Sequence, residues 1–167
     1  MRIFYCCYGS AHSSVVAASI HLGLLPTDRI PGINEFKYLP HYDETRSFEI
    51  GTPFFMGKDE LNSDVFILGM ASERKLIKKA IISFLKQTGF NTIDLLMIDT
   101  LPNVTWITRI GGFASRRLGI VSIGRPLTIF GIQQKYFDFV NLVNNVKRKE
   151  AKIIDQLDFK SDFDNNR

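Results

Sequence analysis

Apolar and polar positions along this chain fall into blocks: short apolar runs hand over to stretches with helical spacing, and Gly, Pro or Asp marks each handover. Residues 2–8 (RIFYCCY) are short and apolar enough for a buried strand, and residues 13–22 (SSVVAASIHL) predict a small-residue helix closed by Gly23 and Pro26. From Pro26 to Gly51 the pattern weakens, with Pro31, Pro40, His41 and many polar residues. This reads as a surface excursion with one short helix around Asn34 to Leu39. Two apolar runs, 53–57 (PFFMG) and 64–70 (DVFILGM), flank a polar tip and predict a hairpin with one strand antiparallel at a sheet edge. Ser72 then suits the cap of a helix running to about Thr88, with Leu76, Ile77, Ala80, Ile81, Phe84 and Leu85 at helical spacing and Gly89 at the stop. Residues 92–98 (TIDLLMI) predict another strand, ending at Asp99. Pro102 and Asn103 open a helix with Val104, Ile107, Ala114 and Leu118 on one side. Gly111-Gly112 breaks it, because two glycines cost about 2 kcal/mol relative to alanines in a helix interior. Residues 127–131 (LTIFG) read as a last strand, and Gln133 to Lys149 as a last helix with Tyr136, Phe137, Val140 and Val143 inward. The tail from Asp155 is polar and frays.

Four strand–helix units imply a single-domain, three-layer α/β/α fold, P-loop-like or Rossmann-like, over residues 1–150, followed by a polar tail over 151–167. The sheet is mainly parallel, of about four to five strands with an edge hairpin. Ligands of such sheets bind at the carboxyl ends of the strands. Those ends fall at Cys7 to Ser14, Gly69 to Ser72, Asp99 to Asn103 and Gly131 to Gln134.

Composition narrows the class of protein. The chain has 167 residues, 45% hydrophobic, enough for one core that buries about two-thirds of the unfolded surface. The formal charge of +4 is mild, and part of it lies in Lys147-Arg148-Lys149, a basic helix end. Nucleic-acid binding is not indicated, since the aromatic residues sit inside strand and helix patterns instead of interleaving a basic stripe. Cys6 and Cys7 are neighbours in a strand, where side chains alternate faces and no disulfide framework forms. A reducing, cytoplasmic setting follows, and no apolar run approaches the roughly 18 residues that span a membrane.

The candidate chemistry lies in the first strand-to-helix turn, Tyr8-Gly9-Ser10-Ala11-His12-Ser13-Ser14. Amides at a helix start lack intrahelical partners and carry the positive end of the macrodipole, so Gly9, Ser10, Ala11, His12, Ser13 and Ser14 are candidate ligands for a phosphate or carboxylate. Two known loops resemble this one. Laid over the nucleoside-triphosphate P-loop, GxxxxGK[ST], Cys7 and His12 take the two glycine positions and Ser13 the lysine position. Only Ser14, at the Mg2+-ligating hydroxyl, matches; Lys58, Arg74, Arg116 or Arg125 would have to supply the missing cation. Asp99 resembles the carboxylate that holds Mg2+ beside a nucleotide in such proteins, although an Asp ending a strand also caps turns. Laid over the low-molecular-weight tyrosine phosphatase loop, CxxxxxR[ST], Cys7 falls on the nucleophile and Ser14 on the hydroxyl that assists it. Ser13 stands in place of the phosphate-clamping Arg. Cys7 and His12 are thus the candidate catalytic residues, His12 as phosphate donor or general base; their bland alternatives are a buried hydrophobe and a ring bonded to the loop backbone. His21 and His41 have no Cys or carboxylate at ligand spacing and support no metal site. Arg116, in the glycine-flanked segment 111–119, and Arg125, just before the expected last strand, are candidate oxyanion clamps, with surface arginines beside a kink as the plainer reading.

The segments FYCCYGSAHSSVVAASIHLGLLP, FMGKDELNSDVFILG and GGFASRRLGIVSIGRPLTIFGIQQKYFDFVNLV together resemble an uncharacterised domain-of-unknown-function family of spore-forming Firmicutes. The resemblance covers most of the chain and implies a bacterial cytosolic protein, with no activity attached. The expectation is a protein that binds a phosphorylated small molecule or nucleotide at the first turn. Its alternatives are a Cys7-dependent phosphatase-like enzyme and a non-catalytic regulator or scaffold.

Overall fold

A computed structural model of the chain describes residues 1–103 and 121–165, with side chains described to Asn103 and from Arg125 to Leu157. Four strands, β1 (Arg2–Cys7), β2 (Pro53–Lys58), β3 (Asp64–Gly69) and β4 (Leu95–Asp99), form one sheet in the order β2-β3-β1-β4. β1 is parallel to both β3 and β4, and β2 is antiparallel to β3 at the edge. Among the described residues the α-helices are α1 (Ser13–His21), α2 (Ile33–Lys37), α3 (Arg74–Gln87), α4 (Val121–Gln133) and α5 (Tyr136–Asn165). This is an α/β fold with a mixed, mostly parallel sheet, as the alternation of patterns predicts.

Alternation along β1 divides the core into two layers. Ile3 and Tyr5 pack with Val65, Ile67 and Leu96 against α1 and against Phe139, Val140 and Val143 of α5. Cys6 faces the other way, with Leu68, Met70 and Met97 beneath Ile77, Ile81 and Ile82 of α3. The two free cysteines, adjacent in sequence, therefore lie on opposite faces. All nine residues of α1 are buried, and its small Ala17, Ala18 and Ser19 allow close approach on several sides. Each of Val15, Val16 and Ile20 removed from water contributes roughly 1.5–3 kcal/mol, which outweighs the modest helix propensity of the β-branched residues.

Several local expectations shift. The run 127–131 is not a strand: it lies within α4, where Thr128, Ile129, Gly131 and Ile132 are buried while Phe130 is exposed, a helical spacing. A five-residue apolar run carries too little periodicity to separate the two states, and packing on the core selects the helix. Gly131 to Gln134 is consequently a helix end and not part of the strand rim. α3 starts at Arg74 with Glu73 at its N-cap position, so Ser72 is not the cap, and Leu76 and Phe84 are exposed. On α5, Tyr136, Val140 and Val143 are buried but Phe137 is 47% exposed, since it sits one residue off the inward face. That helix continues to Asn165. The hairpin carries a bulge between Phe55 and Gly57, where Gly57 adopts φ +150°.

Candidate anion-binding site

The parallel register sets Cys7 beside Gly69 and Cys6 beside Asp99, which brings three strand ends to one rim. The helices following the neighbouring strands β1 and β3 cover opposite faces of the sheet, the arrangement that opens a ligand crevice in α/β proteins. The turn after β1 is held tightly there. Met70 and Ala71 donate N–H bonds to the carbonyls of Cys7 and Tyr8 at 2.9 Å each. Gly69 abuts Gly9 so closely that a side chain on it would meet the turn's backbone. Ser10 turns the chain at φ +54°, strained for a residue with a Cβ, and its carbonyl accepts a 2.8 Å bond from Thr45 Oγ1.

The turn curls around the Cys7 sulfur. Sγ accepts the Ser10 N–H at 3.1 Å and lies 3.0 Å from Ser14 Oγ. Ser13 Oγ accepts a 2.9 Å bond from Thr100 Oγ1, which ties the start of α1 to the end of β4. His12 occupies the N-cap position of α1, yet its side chain makes no capping bond, and the first turn holds no acid. Its ring turns away, with Nε2 3.1 Å from Asp43 Oδ1. Asp43 is enclosed and also accepts a 3.3 Å bond from Arg125 Nε, from within α4. Arg125 therefore comes from within a helix, not from the start of a strand, and completes a His12–Asp43–Arg125 chain beside the turn. Residues 9–11, 13 and 14 are buried, and the hydroxyl of Ser10 is buried without a hydrogen-bond partner among the described residues. Asp99 lies at the rim but binds Arg74 Nε at 3.0 Å and caps the next turn through the Leu101 N–H at 3.0 Å. The helix expected to open at Pro102 begins as a single 3-10 turn, Leu101–Asn103, and its continuation, with segment 111–119 and Arg116, lies outside the described residues.

The comparisons with known proteins follow this geometry. A family described as "Protein of unknown function (DUF3189)" matches residues 2–148. The chain belongs to this family. No curated protein and no solved structure matched it. The DUF3189 match spans all four strands and α1 to α4, so it includes the whole rim. No helix among the described residues is long and apolar enough to cross a membrane.

Sequence spacing missed two features of this DUF3189 protein. Asp43, at φ +62° in the irregular excursion, carries no motif and becomes visible only when the excursion folds over the turn. His21, set aside for want of a carboxylate nearby in sequence, lies 2.8 Å from Asp59 and 3.5 Å from Glu150.

Proposed function

We propose that residues 9–14 hold the oxyanion of a phosphate-containing small molecule or nucleotide, with His12 and Arg125 at the mouth of the site. The observation that carries the reading is the buried amino end of α1, where no side-chain cap and no acid meet the first-turn amides. The Ser10 N–H already donates to Cys7 Sγ, so the anion would be met by the first-turn amides of α1, and buried backbone donors there favour an acceptor. The buried hydroxyl of Ser10, without a hydrogen-bond partner among the described residues, adds a donor beside them. Ser13 contributes no charge, so the guanidinium of Arg125 takes the part that a lysine plays in a P-loop. Thermal shift with inorganic phosphate and with AMP, ADP and ATP, each with and without Mg2+, tests the proposal. A ligand at about 100 times its Kd adds about 2.7 kcal/mol and a rise of several degrees. Arg125→Ala lowers the response, and the Mg2+ arms report whether Asp99 assists. No stabilisation by any of these anions overturns the reading.

The placement of the Cys7 sulfur favours a second reading, phosphoester hydrolysis. A thiolate receiving the Ser10 N–H and the Ser14 hydroxyl attacks phosphorus and the ester P–O bond breaks. The alcohol leaves with a proton from water, and a second water then cleaves the S–P bond to give inorganic phosphate and free Cys7. A chromogenic phosphate ester should turn over, and Cys7→Ser should abolish turnover; equal rates in both proteins refute it. Blank results in both assays leave a non-catalytic regulatory or scaffold role, checked by capture of a protein partner.

A further inference from the structure

At the opposite end of α1 from the turn, three ligand-type side chains from distant parts of the chain converge in the interior. His21 closes α1, Asp59 follows β2, and Glu150 projects from α5; their side chains are 0%, 0% and 1% exposed. His21 Nε2 lies 2.8 Å from Asp59 Oδ2 and 3.5 Å from Glu150 Oε2, and one ligand atom from each residue falls within 4.8 Å of the others. The remaining groups are arranged around this point. Asp59 Oδ1 accepts the N–H groups of Leu61 and Ser63 at 2.9 Å each, which leaves Oδ2 for the centre. On the far side of the imidazole, Nδ1 lies 2.7 Å from the Tyr5 hydroxyl. Glu150 Oε1 is buried with no hydrogen-bond partner among the described residues.

Two carboxylates and one imidazole in an enclosed space leave a charge problem. Among the described residues, the ion pairs of Asp59 and Glu150 are with His21 alone. With both carboxyls ionised, even a protonated His21 leaves one negative charge enclosed; without a cation, one carboxyl has to keep a proton and share it with the other, since Asp59 and Glu150 lie within hydrogen-bonding reach. A divalent cation balances both carboxylates with the imidazole neutral. Nδ1–H then donates to the Tyr5 hydroxyl and Nε2 presents its lone pair to the metal, the outer-sphere support that ligating histidines usually have. Bond lengths of about 2.0–2.2 Å in a tetrahedral site place ligand atoms about 3.4 Å apart; His21 to Glu150, at 3.5 Å, matches this, and the 2.8 Å His21–Asp59 contact opens by about half an ångström when the ion enters.

We propose that His21 Nε2, Asp59 Oδ2 and Glu150 bind one divalent transition-metal cation, of the zinc class by its mixed imidazole and carboxylate donors, with Tyr5 orienting His21. The enclosure of all three ligands makes the role structural: the ion would fasten the end of α1, the β2–β3 turn and α5 to one another. The tip Glu60-Leu61-Asn62, next to Asp59 in the chain, is exposed. This centre is separate from the anion site, and neither reading depends on the other.

The test uses the whole chain, stripped with EDTA and titrated with Zn2+ by calorimetry, with Co2+ as a spectroscopic probe and thermal melting in parallel. The expected result is one Zn2+ per chain, a melting temperature raised by several degrees, and visible Co2+ absorption. Glu150→Gln and Asp59→Asn should each weaken binding at least tenfold, and Tyr5→Phe by about 10–100-fold, whereas Cys7→Ser leaves it unchanged. Circular dichroism checks that each variant is folded, and the unaltered chain decides the question if one is not. Absence of stoichiometric Zn2+ and Co2+ binding by the unaltered chain overturns the proposal. So does binding that survives both carboxylate substitutions, or is lost in Cys7→Ser.

Discussion

Gly69→Ala tests whether the candidate site is built by close packing of two chain segments. An alanine Cβ at this position would lie 2.9 Å from Gly9 Cα, 3.1 Å from Gly9 C and 3.2 Å from Ser10 N. All three are backbone atoms, so no side chain can swing aside. Neither segment is free to retreat. Gly69 pairs with Cys7 in the parallel ladder and its carbonyl accepts the Gly51 N–H at 2.9 Å, while Ser10 is fastened through its N–H to Cys7 Sγ and through its carbonyl to Thr45. Overpacking of this kind costs about 1–3 kcal/mol. For a chain of this size that lowers Tm by about 2–12 °C. The displaced turn should also loosen its hold on the Cys7 sulfur, so alkylation of Cys7, followed by mass spectrometry on the native protein, should quicken. Gly89→Ala is the control. Gly89 has φ +79° and a Cβ there meets nothing within 4 Å, so only backbone strain of about 1–2 kcal/mol is added and Cys7 labelling stays unchanged. A Gly69→Ala protein with the original Tm and the original Cys7 labelling rate would refute the close-packing account.

Phe139→Ala removes a fully buried ring from the α5 face of the core and should cost about 3–5 kcal/mol by urea denaturation, with the m-value retained. Tyr5→Phe leaves Nδ1 of buried His21 without its 2.7 Å partner and should destabilise the metal-free chain by about 1–3 kcal/mol; an unchanged denaturation midpoint counts against that hydrogen bond. The Cys6 thiol is pushed up to about 12, chiefly by burial and then by Cys7, with Lys78 and the backbone N–H of Ile98 pulling the other way. A folded value above the unfolded one means that this contribution to stability is complete below the ordinary thiol range near 9 and is lost as pH rises towards about 12. Burial also raises the phenols of Tyr5, Tyr42 and Tyr136, so melting temperature should fall with alkali, and Cys6→Ala should flatten the fall without abolishing it.

The sequence by itself determined the elements whose signals are local. β1, the hairpin, α3 and β4 each carry an apolar period bounded by a turn residue, and side-chain alternation alone separates Cys6 from Cys7. The turn after β1 was legible as a candidate site for the same reason, since small residues between a strand and a helix expose amides wherever the chain goes next. Residues 127–131 were not legible. Leu127 and Ile129 suit a strand, and only contact with the core makes Thr128, Ile129, Gly131 and Ile132 the inward side of a helix. Tertiary structure alone decided the partners of the titratable groups. Asp43 meets Arg125 across 82 positions of sequence and His21 meets Asp59 across 38. No periodicity spans such separations: a period records which side of an element is apolar, whereas the meeting of two polar groups depends on the path of the chain between them.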